Sequence, residues 1–290
     1  VINSFKRSMK CLTVLLGLVY ATFVNANPNL VIKHNKIDSP KEEYQFGLLK
    51  LALSYSDKKY QFDESNTYLT QQKLMSDLGS NNISVAWVGT SSEYEQTYQP
   101  IRVPLFKGLL GYRIFLIKPE LQESFNQINS AKDLSGLRAG QVRTWVDTQI
   151  LQQANLPVVT SNKFSNLFYM LEGQRFDYFP RSVYSAYAEK QKYPELGLQV
   201  ENSLILVYTL PGYFFVNKQN QALYQEISTG LNTAIDDGSF DQYMLNHPLI
   251  KDALELSNIQ NRKVIRLDNP FLPPQTPIND KRLWFNLAQH

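Results

Sequence analysis

The sequence predicts an α/β chain in which strands alternate with helices, arranged in about two domains. Three observations carry this. Apolar runs such as ISVAWVGTS (Ile83–Ser91) end in turn residues, as buried strands do. Between several such runs the apolar residues recur every three to four positions, the spacing of a helix with one buried face. The length of 290 residues exceeds one ordinary domain, the prior being roughly 150 residues per domain.

The elements follow in order. LVIKHN (Leu30–Asn35) reads as a short strand, and EEYQFGLLKLALSYS as a helix with Phe46, Leu49 and Leu53 on one face. YQFDES is a possible strand, and TQQKLMSDL a helix that opens at a threonine cap, Thr70. GYRIFLIKP (Gly111–Pro119) is a strand stopped by its proline. DLSGLRAGQVRTWVDTQILQQANL then gives a turn, a strand, a turn and a helix. NLFYMLEGQRFDYFP gives a helix, a turn at Gly173 and a short strand. SLILVYTLPGYFFVNK is two strand-like runs broken at Pro211-Gly212. QALYQEISTGLNTAIDDG is a helix with Leu223, Ile227, Leu231 and Ala234 on one stripe and Gly238 past its end. From Asn261 the chain is proline-rich and expected to run extended over the surface, docked by Trp284 and Phe285.

The first 26 residues have the three-part pattern of a secretory signal peptide. Lys6, Arg7 and Lys10 precede an apolar run, Met9 is the expected start, and small or medium residues lead to Ala26 as the expected cleavage point. The alternative is a membrane anchor, but the apolar run is shorter than the roughly 20 residues a spanning helix needs. The expected location is therefore periplasmic. Cys11, the one cysteine, lies inside that segment, so the mature chain is expected to form no disulfide and no cysteine-based site. Without those three basic residues, 26 of the 29 remain against 26 acidic ones. That balance gives no electrostatic case for binding nucleic acid.

Four stretches resemble the type II periplasmic solute-binding proteins, in particular the family that serves amino-acid ABC importers (family 3). RVPLFKGLLGYRIFLIKP is similar to the family's passage from first lobe to second, and AKDLSGLRAGQVRTW to the start of its second lobe. GQRFDYFPRSVYSAY is similar to the strand lining its cleft, and LPGYFFVNKQNQALYQEISTGLNTAIDDGSFDQYM to its return hinge and following helix. The resemblance implies a two-lobed fold with two hinge strands. Lobe 1 would comprise residues 27–112 and 213–290, with the extended tail, and lobe 2 residues 113–212. It also implies closure around a ligand by a hinge motion.

Two departures bear on the ligand. Where the amino-acid binders carry an arginine that clamps the ligand carboxylate, this chain has GTSSEYEQ, with Glu93 and Glu95. Where they carry an acid for the ligand ammonium, it has DYFPRS, with Pro180 and Arg181.

The residues expected to bind ligand are Arg143, Thr144, Trp145, Arg181, Tyr178, Thr90, Ser91 and His34. Arg143 and Thr144 follow a strand just where a helix begins, and free N–H groups at such a junction favour an anion. The competing role for Arg143 is an ion pair with Asp147. A guanidinium offers a planar fork that suits carboxylate or phosphate. Arg181 follows a rigid proline, and its competing role is a structural ion pair. Two cleft arginines would need an anion or an acid from the other lobe, such as Glu93 or Glu95. Trp145 and Tyr178 are expected as cleft walls. Thr90 and Ser91 would offer hydroxyls at a strand end, and His34 a cleft-edge contact. The three histidines have no metal-ligand spacing, and no catalytic residue or cofactor is assigned.

The expected function is capture of a small polar ligand, anionic or amino-acid-like, by a monomer that does no chemistry. The expected partners are that ligand and an ABC permease. The alternative is a sensor of the same fold signalling to a membrane partner. A periplasmic enzyme such as a dehydratase is a third reading.

Overall fold

The computed structural model describes residues 30–286. The segment read as a signal peptide lies outside the described residues.

The first lobe begins with β1 (Leu30–His34), α1 (Pro40–Leu53), β2 (Tyr60–Glu64), α2 (Gln71–Gly79), β3 (Ala86–Gly89), α3 (Ser92–Thr97) and β4 (Gln99–Ile101). β1 and β2 pair in parallel, Leu30 with Tyr60 through His34 with Glu64. The amides of Ser84 and Val85, just ahead of β3, donate to the carbonyl of Lys33 in β1. This sets β3 beside β1.

The chain then crosses to the second lobe. β5 (Tyr112–Ile117), α4 (Gln122–Asn126), α5 (Ala131–Leu134), β6 (Ala139–Val142) and α6 (Val146–Gln153) come first. β7 (Val158–Ser161), α7 (Phe164–Glu172), β8 (Tyr178–Ser182), α8 (Ala186–Gln191), β9 (Gln199–Val200) and β10 (Leu204–Val207) complete it. A second crossover, Tyr208 to Pro211, returns to β11 (Gly212–Val216), which inserts between β3 and β4, antiparallel to both. α9 (Gln221–Asp236), α10 (Ser239–Asn246), α11 (Pro248–Ser257) and β12 (Lys263–Arg266) follow.

Both sheets share one strand order. In the first, β2, β1, β3, β11 and β4 lie side by side, and β11 is the strand that returns from the other lobe. In the second, β7, β6, β8 and β5 lie side by side, and β5 is the strand that arrives from the other lobe. Each lobe is thus a mostly parallel sheet completed by one antiparallel strand from its partner. In such sheets ligands bind outside the carboxyl ends of the parallel strands.

Local sequence explains the elements. Ser39, Thr70 and Ser91 cap α1, α2 and α3 by accepting a backbone N–H from the first turn. The helix stripe predicted in QALYQEISTGLNTAIDDG is the buried face of α9. Gly238 takes a left-handed backbone, φ 81°, just past that helix. In α9, Gly230 meets α1 so closely that a Cβ would lie 1.9 Å from the Ala52 carbonyl oxygen.

The two crossovers touch along their backbones. The Tyr208 amide donates to the Gly111 carbonyl at 3.1 Å. A Cβ on Gly111 would lie 1.9 Å from the Tyr208 carbonyl oxygen, so only glycine allows this approach. Around the crossovers the core runs through both lobes. Tyr44 of α1 stacks on Phe106 at 4.5 Å, and Phe106 stacks on Tyr184, just past β8, at 4.1 Å.

The tail departs from the expected assignment of 213–290 to the first lobe. β12 pairs in parallel with β10, from Leu204 with Lys263 to Val207 with Arg266, and so extends the second sheet. The buried Arg262 guanidinium fixes it there, donating to the carbonyls of Ser257, Glu201 and Leu204. The chain then returns to the first crossover. The Phe285 amide donates to the Lys107 carbonyl at 2.7 Å, and Trp284 covers Gly108. The tail therefore straps one lobe to the other. Neither α10 nor α11 is assigned from sequence; the two helices meet at His247, the N-cap of α11, with Pro248 in its first turn.

Candidate functional site

The carboxyl ends of both sheets abut the second crossover. On the first lobe, the Thr90 amide donates to the Pro211 carbonyl at 3.0 Å. On the second, the Tyr208 hydroxyl donates to the Asp147 carboxylate in the first turn of α6. Only two residues, Thr209 and Leu210, separate these two anchor points. The turns after β3 and β6 are thereby held at the same crossover.

The turn after β6 is Arg143, Thr144 and Trp145. Arg143 and Thr144 are exposed. The Arg143 amide donates to the Ser161 carbonyl, tying the turn to the end of β7, and its guanidinium has no ion pair among the described residues. The alternative pairing with Asp147 does not form. Asp147 instead holds the buried Arg113 of β5 at 2.5 Å, and Arg113 also donates to the Tyr208 hydroxyl at 3.1 Å. Burial, the largest single effect, lowers the Arg113 pKa; the Asp147 carboxylate together with Tyr208 and Tyr184 outweighs it and leaves the pKa above the ordinary value. This buried network fixes the start of α6 against the crossover.

No side chain caps α6, because Trp145 stands at its N-cap position. α7 likewise has no side-chain cap and carries Lys163 there. The second-lobe helices α6 and α7 thus start with free donors, whereas those of the first lobe are closed by Ser39, Thr70 and Ser91.

Arg181, near the end of β8, is 7% exposed. Its guanidinium lies 4.7–5.0 Å from the ring centres of Phe179, Phe164 and Trp145. Nε and Nη2 donate to Glu189 of α8 at 2.5 and 2.7 Å. Nη1 is buried and has no acceptor among the described residues. The acid that neutralises Arg181 comes from the same lobe and not from Glu93 or Glu95, because α8 packs directly over the end of β8.

The other expected residues divide. Trp145 is half-buried and covers Arg181. Tyr178 does not line a cleft: it is 0% exposed, packed between Phe115 and Phe125 at the opposite end of β8. Its expected role fails because β8 is buried along its whole length with core on both faces, and the Tyr178 ring packs into one of them. Thr90 is buried and donates to Glu95 at 2.7 Å. Ser91 is spent in part on capping α3. His34 is buried against Phe46, 4.6 Å between ring centres, with Nδ1 2.7 Å from the Asn35 carbonyl.

Arg102 reaches the first-lobe turn in three dimensions, donating from Nε and Nη2 to the Glu95 carboxylate at 3.0 and 2.6 Å. Sequence reasoning missed Arg102, Arg113, Glu189 and Lys163. Only Lys163 carried a local signal, a lysine standing where a helix begins. Among the described residues no helix is long and apolar enough to cross a membrane, and no group of three or more His, Cys, Asp or Glu could hold a metal ion.

No protein-family model matches this chain, and no curated protein sequence does. Solved structures do. An ancestral arginine-binding protein bound to arginine aligns with 76% of this chain and 98% of its own, at 18% identity and a TM-score of 0.55. A structure from the glutathione import and cystine ABC importer system of Streptococcus mutans covers 76% of this chain and 95% of its own, at 12% identity and a TM-score of 0.56. A histidine kinase sensor domain with similarity to periplasmic binding proteins covers 76% and 96%, at 12% identity and a TM-score of 0.55. Likeness at these identities is likeness of fold.

Proposed function

We propose, from the premise that this chain has the two-lobed type II periplasmic-binding fold, that it is a periplasmic solute-binding protein. It would capture a small polar anion at the turn Arg143-Thr144-Trp145 and deliver it to an ABC-type permease. One observation carries this: an exposed, unpaired guanidinium stands at an uncapped helix start, at the carboxyl end of a parallel strand. The helix start contributes about 0.3–1 kcal/mol to an exposed anion, and more when the site is partly buried. The guanidinium adds charge-assisted hydrogen bonds of fixed geometry.

Thr144 would donate its hydroxyl and Trp145 would wall the site. Arg181 would act from beneath, its Nη1 being the donor left over after Glu189 is satisfied. Thr90, Ser91 and His34 would form the facing rim only if the first lobe rearranges, since Thr90 and His34 are buried here. The neighbours whose names say they bind arginine support the ligand-binding role. An ordinary amino acid fits less well, because Glu95 already holds Arg102 and the acid for an ammonium group is replaced. No catalytic residue is proposed.

A sensor role is the second reading, favoured by the likeness to a kinase sensor domain and by a tail strap that would report lobe position.

The test is a thermal-shift panel of amino acids, dicarboxylates, aromatic acids, phosphorylated compounds, peptides and sugars. A ligand at a hundred times its Kd stabilises by about 2.7 kcal/mol. The reading expects a shift with anions that is lost in Arg143→Ala. A ligand whose affinity is unchanged in that variant would overturn it.

A further inference from the structure

The turn after β6 is only half of a larger arrangement. β7 runs parallel to β6, with Val142 opposite Ser161, so the two strands end level. Each feeds a helix with no side-chain cap. Arg143 follows one strand end by a single residue, and Lys163 follows the other by two. Both are exposed, and neither pairs with an acid among the described residues. A lysine at a helix N-cap is the least favourable place for its charge, since the helix start is itself positive. α7 has no acid in its first turn to offset it. The acid in the first turn of α6, Asp147, is turned inward and neutralised by Arg113.

An independent observation lies between these helix starts. Arg181 is buried against Trp145, the N-cap of α6, and against Phe164, the first residue of α7. Glu189 satisfies two of its nitrogens, and Nη1 has no acceptor among the described residues. A buried donor without a partner is costly, of order 1–3 kcal/mol, unless something accepts from it. The acceptors nearby are already occupied, Glu189 by Arg181 and the Ser161 hydroxyl by the Lys163 amide; the groups left over can all donate: two helix starts, the Arg143 fork, the Lys163 ammonium, Nη1 of Arg181 and the Thr144 hydroxyl.

We propose that the two helix starts of the second lobe bind a phosphoryl dianion, free phosphate or a phosphate monoester, with Lys163 supplying the second cation beside Arg143. This rests on the binding reading given above and narrows its ligand class. A phosphoryl group carries close to two negative charges and acceptor oxygens, which matches two unpaired cations and a surround whose remaining polar groups donate. The Arg181–Glu189 pair is neutral as a unit, so the charge is matched without it.

The test is calorimetric titration of the whole chain with inorganic phosphate, at low ionic strength and at a mildly alkaline pH where phosphate is a dianion. Acetate is the monoanion control. Glucose 6-phosphate against glucose separates an ester from the free ion. The expected result is one phosphate bound per chain, weakened about tenfold in Lys163→Gln, the loss of one charge-assisted contact. Lys251→Gln, the same charge change on exposed α11, should leave the affinity unchanged.

Absence of phosphate and phosphate-ester binding to the native chain overturns the proposal, and so does equal affinity in Lys163→Gln. A monoanion or zwitterion that binds through Arg143 while ignoring Lys163 would end the dianion proposal alone. If no ligand depends on Arg143, both readings fall.

Discussion

The Phe106 ring, on the first crossover, stacks on the Tyr184 ring of the second lobe, with centroids 4.1 Å apart and planes 12° apart. Tyr44 of the first lobe closes the stack on the other side of Phe106. The lobes therefore share core at the hinge, and a hinge motion must pivot about these rings. Tyr184→Ala should cost about 3–5 kcal/mol, the range for large aromatic deletions. Tyr184→Phe should cost far less, because the ring stays. Urea unfolding of the two variants checks this; equal midpoints would show that the stack contributes nothing.

The buried Arg113–Asp147 pair gives a second prediction. Asp147→Asn leaves a guanidinium buried without its counter-charge and should destabilise by about 3–5 kcal/mol. Replacing both residues, Arg113→Met with Asp147→Leu, and removing the Tyr208 hydroxyl they satisfy, Tyr208→Phe, should recover most of that, since an apolar group needs no desolvation. A double-mutant cycle measured by denaturant would show strong coupling; simple additivity would refute it.

Gly111→Ala tests the contact between crossovers. Its Cβ would fall 1.9 Å from a backbone oxygen, and backbone cannot rotate away as a side chain can. We expect a loss of about 1–3 kcal/mol, as for other overpacked sites, and a weaker grip of the second lobe on the first. An unchanged melting temperature would mean the crossovers can separate freely.

Alkaline pH gives a fourth. Burial raises the phenol pKa values of Tyr44, Tyr184 and Tyr208, and pushes Tyr243 up to about 12. In the unfolded chain these groups titrate near pH ~10. Their contribution to stability is therefore complete below that pH and declines as pH rises above it, because the unfolded state releases the protons first. Tyrosinate absorbance should rise in two stages, the second coinciding with unfolding. If all 17 tyrosines ionised together near the ordinary value without unfolding, the buried rings would not be where they are placed.

The fold was legible because its signals are local. β3, β5, β6, β8, β10 and β11 each lie in an apolar run bounded by turn residues, and α9 carries its stripe openly. The proposed site was legible only where sequence neighbours are also neighbours in space, at Arg143-Thr144-Trp145. Glu189 holds Arg181 across eight positions, and Asp147 holds Arg113 across two helices and a strand. Such partners are set by packing and leave no periodicity. Tyr178 was misplaced for the same reason: its aromatic character suits a cleft wall and a core equally. The tail read as extended, correctly in part, but pairing of β12 with β10 depends on an edge that the sequence does not display.

The most direct measurement is a backbone amide NMR titration with an anion identified by the thermal-shift panel. The account predicts that the largest shifts fall on the amides of Arg143, Thr144, Trp145 and Val146 and saturate together, and that Arg143→Ala abolishes them. Shifts confined to the surface depression at Asn166, Tyr169, Met170 and Arg175, or to the first lobe alone, would contradict it.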